Sequence, residues 1–200
     1  MLIILNVVAL VLAAFLVWKI HILSWHPDLP VLNQAAGRFT VKYGWWLRII
    51  DRSVIIFDFD WLKAWNTATG LQSLTNYLMA IGLSFRGFQV RKRPWWRFWR
   101  HDLVFQFDNG DKYAIIIPWA SDFKTLQLAE QVKDHLENTP IPPDILARYT
   151  EITGSTKMSA TFVIVNKTRK IWEALQVTDA ECLAAKDRNQ RSQIITVERT

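Results

Sequence analysis

Along the chain the hydrophobic pattern changes period several times, and each change predicts a different element. Leu2 to Trp18 is apolar apart from Asn6 and carries no charge. With Ile20, and a rise of about 1.5 Å per residue, this run nearly crosses a hydrocarbon layer of about 30 Å, so it predicts a transmembrane helix. Trp18, Lys19 and His21, with Trp25 and His26 beyond, suit the interfacial collar of such a span. The next stretch, SWHPDLPVLNQAAG, holds two prolines without periodicity and reads as a linker. Phe39, Val41 and Tyr43 then alternate with Thr40 and Lys42, which predicts a strand over 38–43. A second hairpin is expected around Asp51-Arg52, between LRII and SVIIFDF.

The clearest local signal is LVFQFDNGDKYAIIIP. Leu103, Phe105 and Phe107 alternate along one arm; Tyr113, Ile115 and Ile117 alternate along the other. Asn109-Gly110 between them is the preferred pair for a type I′ turn, where both residues need positive φ. Leu71, Leu74, Leu78 and Ile81 have helical spacing. Ser121 is placed to cap a helix with Phe123, Leu126, Val132 and Leu136 on one side, stopped by NTPIPP. A short helix (DILARY), a strand (TFVIV) and a helix from about Arg169 follow, and Thr178 to Glu181 has capping-box spacing for one more. Helices and strands interleave around an antiparallel hairpin, so the fold class expected is α+β. The chain divides into an anchor (1–25), a linker (26–37), an α+β domain (38–139) and a C-terminal helix/strand extension (140–200).

Charge sets an orientation. No Lys or Arg precedes the apolar run, whereas Lys19, Arg38, Lys42 and Arg48 follow it. The positive-inside rule then leaves the N-terminus outside and the body in the cytoplasm, a single-pass membrane protein. A cleaved signal peptide fits less well, because the run has no basic start and no small-residue cleavage site. The net charge of +6 favours acidic partners, and eleven Trp favour surfaces with one wet and one apolar side. Cys182 is alone, which excludes an intrachain disulfide and every multi-cysteine metal pattern. The four His are scattered and no Gly-rich phosphate loop occurs, so neither metal nor cofactor is called for.

Two short motifs match known families. His26-Pro27-Asp28 matches the tripeptide of J-domain co-chaperones, without the paired helices that frame it there. VIIFDFD resembles the first motif of the haloacid dehalogenase-type phosphatases. The resemblance implies Asp58 as nucleophile and Asp60 as general acid/base, with Mg²⁺ offsetting their charge. FVIVNKT is similar to that family's second motif, but Val165 replaces its hydroxyl residue, Trp61-Leu62 follows the second Asp, and only Glu198 is available as a late acid. The plainer reading sends Ile55, Phe57 and Phe59 inward and leaves Asp58 and Asp60 on the outward face, with Asp60 capping a turn at Trp61.

FRGFQVRKRPWWRFWRH interleaves cations with aromatics and has no acid. Arg86, Arg91, Lys92, Arg93, Trp95, Trp96, Arg97, Phe98, Trp99 and Arg100 are therefore the candidate binding residues, for bilayer or partner. The composition resembles Trp/Arg-rich membrane-active peptides. Anionic lipid and a membrane-protein partner are the expected contacts, and nucleic acid is the weaker fit. The function expected is a non-enzymatic accessory or assembly subunit of a membrane complex. The alternatives are a phosphatase working through Asp58 and Asp60, and a pleckstrin-like headgroup-binding domain.

Overall fold

A five-stranded sheet in the order β2-β3-β1-β4-β5 organises the computed structural model, which describes residues 34–70, 77, 103–108 and 112–198. β1 (Arg52–Phe59) is central and runs antiparallel to both neighbours, β3 (Lys112–Pro118) and β4 (Ala160–Thr168). Ile55 pairs with Ile115 on one side and Ile164 on the other. β2 (Leu103–Asp108) forms a hairpin with β3, Phe105 opposite Ala114, and β5 (Ile194–Val197) adds parallel to β4. The arms of this hairpin are the strands that the alternation predicts. Its Asn109-Gly110 turn lies outside the described residues, as do the helix expected over Leu71–Ile81, apart from a buried Tyr77, and the ten residues of the basic aromatic segment.

Helices cover both faces of the sheet. α1 (Gln34–Tyr43) and α5 (Ile171–Asp187) pack on the face of Val54 and Ile56. α2 (Leu62–Thr69), α3 (Asp122–Asn138) and α4 (Pro143–Thr153) cover the face of Ile55, Phe57 and Phe59. On that second face Phe57 stacks between Tyr113 and Phe162, at 5.4 and 5.3 Å, and Trp65 of α2 packs on Tyr77 and Tyr149 at 4.8 and 5.0 Å. A strand with two covered faces is apolar at nearly every position, which is what VIIF records.

Several expectations are corrected here. The stretch 38–43 is helical: Gly37 and Val41, four apart, face the sheet, while Phe39 and Tyr43 stay exposed. Its alternation of period two coincided with a helical stripe of spacing four, and packing on β2 decided the outcome. Gln34 Nε2 and Arg38 Nε both donate to the Phe107 carbonyl at 3.2 Å, pinning α1 to the sheet edge. The hairpin around Asp51-Arg52 does not form, because a 3₁₀ turn (Trp45–Arg48) leads into β1 instead. Thr178 starts no new helix; it sits inside α5, buried, donating to the Ala174 and Leu175 carbonyls. Ser121 does cap α3, its Oγ accepting from Lys124 N at 3.3 Å, but of the stripe assigned to that helix only Val132 and Leu136 are buried.

Among the described residues no helix is long and apolar enough to cross a membrane. The segment read as an anchor, 1–25, lies outside them. The fold is therefore stated without a transmembrane element: an α+β sheet with helices on both faces.

Candidate functional site

Two buried acids, Asp58 and Asp60, and a buried lysine, Lys112, converge at the C-terminal end of β1. Residue 58 falls on the same face as Val54 and Ile56, and that face is covered by α5, so Asp58 is buried and not turned to solvent. Asp60, one residue past the strand, is fully buried as well. Both corrections have one cause: the alternation gave the two acids a face, and the second helical layer made that face an interior.

Asp60 is a hub of neutral donors. Its carboxylate accepts from Ser159 Oγ at 3.0 Å, Thr161 Oγ1 at 3.1 Å and Ser192 N at 3.1 Å, while its own N–H donates to the Ser159 carbonyl at 2.9 Å. It thereby ties β1 to β4 and to the turn before β5. The flanking backbone is tightly bent, with Trp61 at φ 66° and Ser192 at φ 55°, and the Arg191 guanidinium lies 4.1 Å over the Trp61 ring. The expected cap at Trp61 is absent: α2 begins without a side-chain hydrogen bond there.

Asp58 belongs to a second, ionic set. Lys186 of α5 brings Nζ to 2.7 Å from Asp58 Oδ1 and 3.7 Å from Asp60 Oδ1, and donates to the Phe59 carbonyl at 3.1 Å. Beside it Lys112, cross-strand partner of Asp58, holds Asp179 of α5 at 2.7 Å. Asp179, Cys182 and Lys186 recur at i, i+3 and i+7, one face of a helix, so α5 delivers all three to the same spot. Cys182 Sγ reaches the Thr161 carbonyl at 3.9 Å. Burial, aided by the Asp58 charge, pushes its thiol up to about 12, so it stays protonated and is no nucleophile. Three carboxylates face two ammonium groups, and burial without such pairing would be costly.

Sequence reasoning picked out Asp58 and Asp60 but missed Lys112, Asp179 and Lys186. The i, i+7 spacing of Asp179 and Lys186 was a legible signal; Lys112 carried none. A cleft of about 510 Å³ lined by Asp51, Thr168, Arg169, Glu173 and Glu198 opens elsewhere, at the opposite end of the sheet, where Asp51 and Arg169 pair at 2.8 Å.

With this geometry fixed, the chain was compared with known proteins. No family model and no curated relative matches it by sequence. Solved structures do. The coiled coil and GGDEF domain of DgcB from Caulobacter crescentus, in complex with c-di-GMP, is 16% identical, matches 97% of this chain and 97% of its own, and has a TM-score of 0.63. The fold is that of GGDEF domains. The diguanylate cyclase SiaD of Pseudomonas aeruginosa, in complex with its activator SiaC, is 15% identical over 96% of this chain and 69% of its own, with a TM-score of 0.64. The active GGEEF domain of a Vibrio cholerae diguanylate cyclase is 15% identical over 84% and 92%, with a TM-score of 0.58.

The matched domains are described as diguanylate cyclases, which sets aside the expected non-enzymatic accessory subunit, and among the described residues no helix supplies the span on which the single-pass placement and orientation rested. The pleckstrin-like alternative falls to the same comparison. The phosphatase alternative fails locally: Asp60 is fully engaged by three donors, and among the described residues no group of three His, Cys, Asp or Glu could hold the magnesium it needs.

Proposed function

We propose that this domain is an enzyme of phosphoryl transfer on guanine nucleotides, of the diguanylate cyclase type, with its site at the C-terminal end of β1. The observation that carries the reading is the pairing of buried Asp58 with the partly exposed Lys186 beside the β2–β3 hairpin, on the fold of domains described as cyclases. Those domains are named for five residues, Gly-Gly-Asp-Glu-Phe or Gly-Gly-Glu-Glu-Phe. The nearest counterpart here is Asn109-Gly110-Asp111-Lys112-Tyr113, which keeps the second glycine and the third-position acid, has Tyr for Phe, and has Lys for the fourth-position Glu. It spans the hairpin whose strand β3 sets Lys112 opposite Asp58.

Joining two guanylates requires a ribose hydroxyl to attack a nucleotide phosphorus while pyrophosphate leaves, so a site must hold phosphate and offset its charge. Lys112, buried, and Lys186, partly exposed, are the cations paired at this site, and lysine serves phosphate as a point charge. Such chemistry ordinarily employs a divalent ion. The described residues do not fit one: the carboxylates of Asp58 and Asp60 already face Lys186.

The test is direct. Full-length protein with labelled GTP should yield cyclic diguanylate on chromatography, and a fluorescent guanine nucleotide should bind with an affinity that falls at least tenfold in Lys112→Ala. Wild-type protein that binds neither GTP nor c-di-GMP would end this reading.

A further inference from the structure

We infer that Lys186 is the resident cation of this site: its ammonium group occupies the place of a divalent ion, so that the pocket accepts its ligand without metal. The inference rests on the reading above for the ligand's identity, but its geometry stands alone. Lys186 Nζ is ringed by three oxygens from one short stretch of chain: the Asp58 carboxylate at 2.7 Å, the Phe59 carbonyl at 3.1 Å and the Asp60 carboxylate at 3.7 Å. Two carboxylates and a backbone carbonyl form an all-oxygen donor set of the type hard cations take. Here a lysine is tethered into it. Its ammonium donates to the Phe59 carbonyl and stands in ion-pair range of both carboxylates.

The tether is rigid. Lys186 follows Ala185, which is buried with no exposure, and Cys182 one turn earlier is equally buried against β4. The 2.7 Å pair of Lys112 with Asp179 fastens the same helix to β3. A small divalent ion needs oxygens at about 2.1 Å in near-octahedral array, and it would have to expel the ammonium from between Asp58 and Phe59. The substitution at the fourth position of the named motif acts in the same direction, since Lys112 brings a cation where the namesake domains carry an acid. One residue thus removes a metal-type ligand and adds positive charge.

Manganese alone is the probe. Titrated into full-length wild-type protein and followed by electron paramagnetic resonance, Mn²⁺ should show no stoichiometric binding up to about 1 mM, whereas Lys186→Met should acquire a site at least tenfold tighter. Circular dichroism checks that the variant folds. Stoichiometric binding of Mn²⁺ to the wild type in the micromolar range would overturn the inference, and that measurement needs no variant. Affinity for the guanine nucleotide should be the same, within twofold, in EDTA and in Mg²⁺; a tenfold loss in EDTA would also overturn it. A protein that binds no guanine nucleotide defeats the proposed function while leaving the manganese result to judge the role of Lys186.

Discussion

Gly37 of α1 lies directly on the ring of Phe105 in β2: a Cβ at residue 37 would stand 2.1 Å from Phe105 Cδ2 and 2.6 Å from its Cβ. The second of these atoms is next to backbone and cannot swing away. Alanine would raise helix propensity by about 1 kcal/mol, but forcing a methyl into a packed contact costs about 1–3 kcal/mol, so packing wins. Gly37→Ala should lower stability by up to roughly 2 kcal/mol on these figures, read as an earlier urea midpoint at unchanged slope.

Asp60 should be the most sensitive acid in the chain. Removing its carboxylate takes the acceptor from the buried Thr161 hydroxyl and from the partly exposed Ser159 hydroxyl and Ser192 N–H. Asp60→Ala should cost about 3–5 kcal/mol, as for loss of one member of a buried charged set. Asp60→Asn keeps one acceptor oxygen and should fall between the two. Equilibrium denaturation orders the three proteins.

The Lys112–Asp179 pair is asymmetric, with side-chain exposures of 9% and 28%. Asp179→Ala leaves a buried ammonium without its carboxylate, whereas Lys112→Met leaves a carboxylate that water can reach. The aspartate change should therefore be the more damaging, by about 1 kcal/mol or more, since the charge it leaves behind is the more deeply buried of the two. A double-mutant cycle should return a coupling of about 1–3 kcal/mol for groups in direct contact.

Cys182 should resist a thiol reagent at pH 8 in the native protein and react in denaturant. Its thiol is pushed up to about 12 by burial, against an ordinary value of 9.0. Above the ordinary value the unfolded chain gives up this proton and the folded chain keeps it. The contribution is fully present below pH 9.0 and is lost as pH rises toward about 12. Cys182→Ala should flatten that alkaline limb of the stability profile, measured by denaturation between pH 8 and 11.

What could be read in advance follows from how local each cause was. The β2–β3 arms, the Ser121 cap, the α4 helix and β4 declare themselves within a few residues, through alternation, capping chemistry or proline. The α1 helix did not, because Phe39, Val41 and Tyr43 fit period two as well as Gly37 and Val41 fit period four. Only the distant Phe105 chooses between them. The same holds at the site. Asp58 and Asp60 were visible as acids in an apolar strand, but their partners Lys186, Thr161 and Ser192 lie a hundred or more residues away. No spacing rule links them. A run apolar at every position, VIIF, was the one hint that β1 had no solvent face.

The central place of β1 also sets the order of events on the ribosome. Among the described strands it is the first made, yet one of its two neighbours, β4, begins only at Ala160. At about 5–20 residues per second the nascent chain carries Ile55, Ile56 and Phe57 with a bare edge for roughly 5–20 s before that neighbour emerges. Early β1 and β3 can zip together, but the sheet is complete only once β4 and then β5, Ile194–Val197, have left the tunnel. A premature stop before residue 160 would leave that edge of β1 unpaired, a fragment prone to aggregate and not a smaller domain.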